Sequence, residues 1–325
     1  MTAPASVGER RGLPREVLVV WALFVVVAAE IFVTYERTPP TELYHVSGAG
    51  FEGAASRVLV FSNFPLALVA LVVIVLLVDR LPGRTAAVVA CVGLASSAVV
   101  FWPGVVDQDD LDAKPANIVP ALGVAIAAGI TIAVLVRGGL ERWQPARYLD
   151  WLRIVFGIGV ILVAMPWLLA DLGISVDGVP VLGSIWQTGE LRTQPGDPML
   201  HPAVHHGHHH GMDGTLLLWS ALLLSRTLPA FGRRALGRVT AALLSLMLVY
   251  GLAEIANDAW LEQVVKRGWT NWEIPDMTRP SVSLGWLAIV IGRSVVYALW
   301  FGRDEPANER DDPGALSSRP ANTAT

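Results

Sequence analysis

Eight stretches of this chain are apolar throughout rather than on one face, and they decide what it can fold into: residues 17–35, 59–78, 86–102, 118–136, 154–172, 215–228, 239–256 and 282–301. A hydrocarbon core about 30 Å thick takes roughly 20 helical residues to cross. Inside it every backbone amide must be satisfied within the protein, which a helix does by itself. Charged residues make up 16% of the chain and the mean hydropathy is +0.51, whereas soluble domains carry about a quarter charged residues. The expected fold class is therefore all-α: a polytopic helical membrane protein with about eight transmembrane helices. Its expected partner is the lipid bilayer. The basic residues are scattered between apolar blocks, which excludes a nucleic-acid surface, and no feature identifies a protein partner. The single cysteine, Cys91, excludes an internal disulfide and a cysteine-based metal site.

Lys and Arg concentrate before residue 17, in the segments 79–84, 137–153 and 226–238, and after residue 302. Alternate connections thus carry the positive charge, and positive loops stay inside. Both termini are then cytoplasmic: a tail over 1–16, a bundle over 17–302 and a polar, disordered tail over 303–325. A cleaved signal peptide is the rival reading of the first block, with Val27-Ala28-Ala29 as its site, but the apolar run continues through Ile31, Phe32 and Val33. Arginine far outnumbers lysine, which fits a GC-rich bacterial genome and hence the bacterial inner membrane. The opposite, outer side receives the segment 35–57 with His45, the acidic stretch around Asp107, Asp109, Asp110 and Asp112, the long loop 176–214, and the segment 258–280 with Trp260, Trp269 and Trp272.

Six of the seven histidines fall at His201, His205, His206, His208, His209 and His210, directly before the block 215–228. Imidazoles crowded this closely add little apolar area and resist joint protonation, so packing does not explain them. Neutral imidazoles with a carboxylate are ligands for divalent transition metals; copper or zinc is expected over magnesium or calcium, which prefer all-oxygen sites. On a helix, His201, His205, His209 and Asp213 would share one face at steps of four, and His206 and His210 would form a second stripe. Length supports a helix there. Residues 215–228 alone reach about 21 Å, and starting at His208 extends this to about 31 Å. Gly207 and Gly211 oppose a regular helix. Two alternatives stay open: a solvated histidine tract with incidental metal affinity, and a pH-sensing loop.

Membrane carboxylates are the second signal. Glu30, Asp171 and Glu254 lie in or at the ends of apolar blocks, and Asp258 follows Glu254 at helix spacing. The topology puts all four at the outer depth of their spans, level with the histidines, where an ionisable group needs a cavity or partner. Asn63 sits at similar depth and reads as a satisfied core amide. Arg293 lies near the middle of the last block, to pair with a buried carboxylate, hold an anionic group or secure the fold.

The expected function is metal handling at the outer face: delivery, sensing or uptake. The rival is a membrane metalloenzyme acting on a lipid or cell-envelope substrate, its metal activating water or oxygen and one carboxylate serving as base. A third reading is a structural or assembly protein. His201-Pro-Ala-Val-His205-His206 resembles one histidine box of the membrane fatty-acid desaturases and hydroxylases. That family uses several such boxes facing the cytoplasm, and this chain has one, facing out. No phosphate-cradling glycine loop, HExxH motif or serine–histidine constellation is present, so no catalytic residue is assigned.

Overall fold

A computed structural model describes residues 11–43, 46–102, 105, 111–205, 209–275, 277 and 280–303. Histidines 45, 206 and 208, the acidic residues 107, 109 and 110, and both expected tails beyond 11–303 lie outside the described residues. The protein is mostly helical. Six helices are long and apolar enough to cross a bilayer. They are α1 (Arg15–Arg37), α4 (Arg84–Ala98, prolonged to Phe101), α5 (Ile118–Gly138), α6 (Asp150–Asp171), α9 (Arg234–Trp260, prolonged to Val265) and α10 (Leu284–Leu299, prolonged to Arg303).

The other two apolar blocks build something different. Residues 59–78 belong to a helix pair, α2 (Gly50–Phe61) and α3 (Phe64–Val78), bent by 46° at Ser62-Asn63; counted as one span it raises the total to seven. Helix α2 starts inside the segment expected to be loop. Block 215–228 becomes α8 (His210–Leu224) followed by a tight 3-10 stretch, Ser225–Ala230. At about 1.5 Å per residue α8 itself is only about 22 Å long. The helix does run back from residue 215 into the cluster, but only to His210, and the 3-10 stretch continues it to Ala230.

Helix α3 is apolar on every side, α8 is largely so beyond its first turn, and both are buried nearly throughout. A helix with no polar face must be surrounded by protein or lipid, and here the longer helices surround both. They approach closely enough that glycine is required. A Cβ on Gly214 of α8 would collide with the Gly251 carbonyl of α9, and one on Gly251 would meet the Gly214 carbonyl at 2.5 Å. Small residues at such crossings let helix backbones touch where hydrophobicity gives no drive to associate.

The two ends of the bundle differ in charge. At one end Leu13 pairs with the α5–α6 connection through amide bonds to Gly139 and from Glu141. Arg80 pairs with Glu141 at 3.3 Å, Arg226 with Glu16 at 3.4 Å, and Arg153 with Asp150 at 3.1 Å. The opposite end carries the loop between α6 and α8. It holds the single turn α7 (Leu182–Ile185) and an antiparallel hairpin, β1 (Leu191–Gln194) with β2 (Asp197–Pro202). Residues 203–205 follow β2 as a strap, and α8 begins at His210.

Gly214→Ala and Gly251→Ala should each destabilise the bundle by about 1–3 kcal/mol, the usual cost of overpacking. Thermal unfolding in detergent measures this; an unchanged midpoint for both variants would contradict the close crossing of α8 and α9.

Candidate metal site

The site forms where α8 begins. Its N-cap is His209, and its first turn carries His210, Gly211, Met212 and Asp213. The first amides of a helix lack internal partners, and the helix end is electropositive. Here a carboxylate from another helix supplies the cap: Asp258 of α9 accepts the Gly211 amide at 2.6 Å. Helix α9 runs well beyond residue 256, where the sequence suggested a loop. It ends in a wide π turn, Leu261–Val265, a feature that recurs at functional sites. Glu254, Asp258 and Glu262 therefore follow one another at steps of four and face α8.

His205 on the strap, His209 and Glu262 bring one ligand atom each to within 4.8 Å of one another, and no other such group of three occurs among the described residues. Glu262 Oε1 lies 3.8 Å from His205 Nδ1 and 4.0 Å from His209 Nε2. The two imidazole rings sit 4.4 Å apart between centroids. His209 is 2% exposed and Glu262 3%. His209 Nε2 is 2.9 Å from the His205 carbonyl oxygen, and its Nδ1 is 3.9 Å from Asp171 Oδ1. From α6, Trp167 donates its indole N–H to Glu262 Oε2 at 2.5 Å.

Further carboxylates surround this triad. Asp171, at the C-terminal end of α6, has a 5% exposed side chain and lies in charge range of Glu30, Glu262, Asp213 and the Arg57 guanidinium. Glu254, 1% exposed, has Asp213, His210 and Asp258 as charged neighbours and accepts a bond from Tyr250. Glu30 accepts the Thr34 hydroxyl at 2.8 Å. Against these acids stand two buried cations, Arg57 and Lys266. Lys266 Nζ ties the strap to the π turn by donating to the carbonyls of Ala203 at 3.1 Å and Pro202 at 3.4 Å. Burial pushes the Lys266 ammonium below its ordinary value, against the upward pull of Glu262 and Asp258. Among the described residues Asp171 Oδ1 and Glu254 Oε2 are buried and accept no hydrogen bond. Buried carboxylate oxygens without a donor, beside imidazoles and with acids in excess of cations, could accept a proton or hold a positive ion.

The structure thus brings together His205, His209, His210, Asp213, Glu30, Asp171, Glu254 and Asp258. It separates His201 from them. That residue lies on β2, half-exposed and 2.8 Å from Asp197 Oδ2. The single helical face expected for His201, His205, His209 and Asp213 therefore does not form. His201 is on a strand and His205 on the strap; the helix starts only at His210. Arg293 of α10 is also elsewhere: it donates to the Ala242 carbonyl at 3.4 Å, about 18 Å along α9 from Glu254 at helical rise. Sequence reasoning missed Glu262, Trp167, Lys266 and Arg57. The four-residue steps from Glu254 through Asp258 to Glu262 held a signal for the first of these.

No protein-family model, curated protein or solved structure matches the chain, so the chemistry of the site carries the functional reading alone.

The strap owes its position to the loop before it. Asp177 accepts the amides of Thr188 at 2.8 Å and Gly189 at 2.7 Å and the Ser175 hydroxyl at 2.5 Å. Partial burial pushes its carboxyl up, but these bonds together hold it below the ordinary value. A depressed carboxyl stabilises the folded loop fully above its unfolded value near 3.9, and that contribution is lost as pH falls through the lower folded value. Hydrogen exchange across 175–189, corrected for intrinsic rates, should accelerate on acidification. Asp177→Asn should exchange fast already at neutral pH and show no further acid step; protection equal to wild type would contradict the clamp.

Proposed function

We propose that the protein is a metal-handling membrane protein that holds one divalent transition-metal ion, zinc or copper(II), at the outer face of the bundle. His205, His209 and Glu262 are its ligands, and Asp171, Asp213, Glu254, Asp258 and His210 supply further oxygen and nitrogen around it. The observation that carries this reading is the convergence of two imidazoles and a carboxylate in a nearly dry position. Their donor set is borderline rather than soft, without sulfur, which favours zinc and copper(II) over copper(I). A metal at His209 Nε2 displaces that nitrogen's bond to the His205 carbonyl, and Asp171 beyond Nδ1 then fixes the ligating ring. His201 with Asp197, and the tract residues His206 and His208, are candidates for handing the ion to this site.

The outer placement follows from charge. The arginine-rich end of the bundle faces the cytoplasm, so both termini do as well, and the histidines face out. Beneath the site, α8 buries Leu216, Leu217, Leu218, Leu222 and Leu224, and α3 buries an unbroken apolar run. A lining of that kind favours delivery or sensing at one face over passage through the bundle. A second reading draws on the donor count. Three protein ligands leave one position for water or substrate, the pattern of catalytic rather than structural zinc, and a neighbouring acid such as Asp171 would then serve as base.

Metal content of purified protein after dialysis tests the site. Wild type and His201→Ala should retain about one equivalent of zinc, while His209→Ala and Glu262→Gln should lose it. Substoichiometric metal that is the same in all four would overturn the proposal. Hydrolysis of an ester or phosphodiester lipid by the zinc-loaded wild type, abolished in Asp171→Asn with zinc retained, would select the enzymatic reading.

A further inference from the structure

We propose that Trp167 is a specificity-determining residue: it restricts Glu262 to one metal-facing oxygen and so selects a small, four-coordinate cation such as zinc over larger, oxygen-preferring ions. This rests on the metal site proposed above. The two oxygens of Glu262 are divided in use. Oε1 faces both imidazoles, at 3.8 Å and 4.0 Å. Oε2 accepts the Trp167 indole N–H at 2.5 Å.

An indole N–H only donates, so it can neither bind a metal nor exchange roles with one. A buried indole also keeps its hydrogen-bond partner, because releasing it exposes no water in exchange. Trp167 is 1% exposed, leaving no solvent to compete for the bond. Its ring is locked as well as buried. Gly211, in the first turn of α8, lies against it, and a Cβ on that residue would collide with the six-membered ring. The helix that carries the histidines therefore closes directly over the indole. Tryptophan at the end of α6, glycine at the start of α8 and glutamate in the π turn of α9 form one interlocked unit.

The consequence lies in coordination number. Calcium takes six to eight oxygens and uses glutamate through both oxygens, and manganese also favours oxygen-rich shells. Zinc is satisfied by four donors in a tetrahedron and needs one oxygen from a carboxylate. With Oε2 held by the indole, Glu262 offers one oxygen. Removing the donor frees the carboxylate to turn and bind through both.

The test uses full-length protein in detergent, with zinc and manganese(II) affinities measured by chelator competition and cobalt(II) as a visible probe of coordination number. Trp167→Phe should lower zinc affinity by about 10–100-fold, the usual effect of losing such a supporting bond. Manganese affinity should hold or rise, and the cobalt spectrum should weaken from the intense four-coordinate form towards five or six ligands. Gly211→Ala keeps the indole but pushes it off Glu262, and reads the same quantities should Trp167→Phe fail to fold. Unchanged zinc affinity and cobalt spectrum in the variant would overturn the assignment. So would equal losses for zinc and manganese with the spectrum intact, since simple loosening of the core produces that pattern. A wild type that binds no zinc would instead remove the metal site itself.

Discussion

A carboxylate held away from water in an apolar bundle must be paired, protonated or given a cation, since leaving it bare costs several kcal/mol. This protein gathers Asp171, Asp213, Glu254 and Glu262 in buried positions around one helix start, with Glu30 and Asp258 half-buried beside them. The electropositive end of α8 relieves part of that charge, and Asp258 uses it directly through the Gly211 amide. Arg57 and Lys266 relieve another part. In the proposed function, a divalent ion between His205, His209 and Glu262 balances what remains. The acids that do not touch that ion then serve as its electrostatic surroundings.

The architecture is arranged around the same requirement. The first turn of the short α8 and its cap are met by α6 at Trp167 and Asp171, and by α9 at Asp258 and its π turn at Glu262. Gly214 and Gly251 bring α8 against α9 until backbones touch, and Gly211 does the same for the Trp167 ring. These contacts set the spacing between His209 and Glu262, residues contributed by elements far apart in sequence. The strap is fastened at both of its supports: Lys266 holds its carbonyls and Asp177 orders the loop behind it.

Much of this was legible in the residues alone, and the failures are instructive. The apolar blocks identified a helical membrane protein, because hydropathy over about 20 residues depends only on composition. They did not separate lipid-facing spans from the inner helices α3 and α8, since a helix apolar on every side looks the same whether protein or lipid surrounds it. The acids Glu30, Asp171, Glu254 and Asp258 were identified by depth, and depth is readable once the direction of each span is fixed. The histidine stripe was misplaced because periodicity was carried past the true helix start. His205 lies outside any helix, and its ring meets that of His209, the cap of α8, rather than stacking along a helix face. Glu262 was missed for the opposite reason: α9 was ended too early, at a charged segment that resembled loop and is in fact helix with a π turn. Trp167 carried no signal of its own, because one buried tryptophan among twelve reads as packing until its partner is known.

Zinc K-edge X-ray absorption of the purified, zinc-loaded protein tests the central claim most directly. The account predicts a first shell of about four nitrogen and oxygen neighbours near 2.0 Å, with outer-shell scattering from two imidazoles and no more. A shell built from three or four imidazoles would place the metal on the histidine tract, and an all-oxygen shell would place it among carboxylates or water; either contradicts a site made by His205, His209 and Glu262.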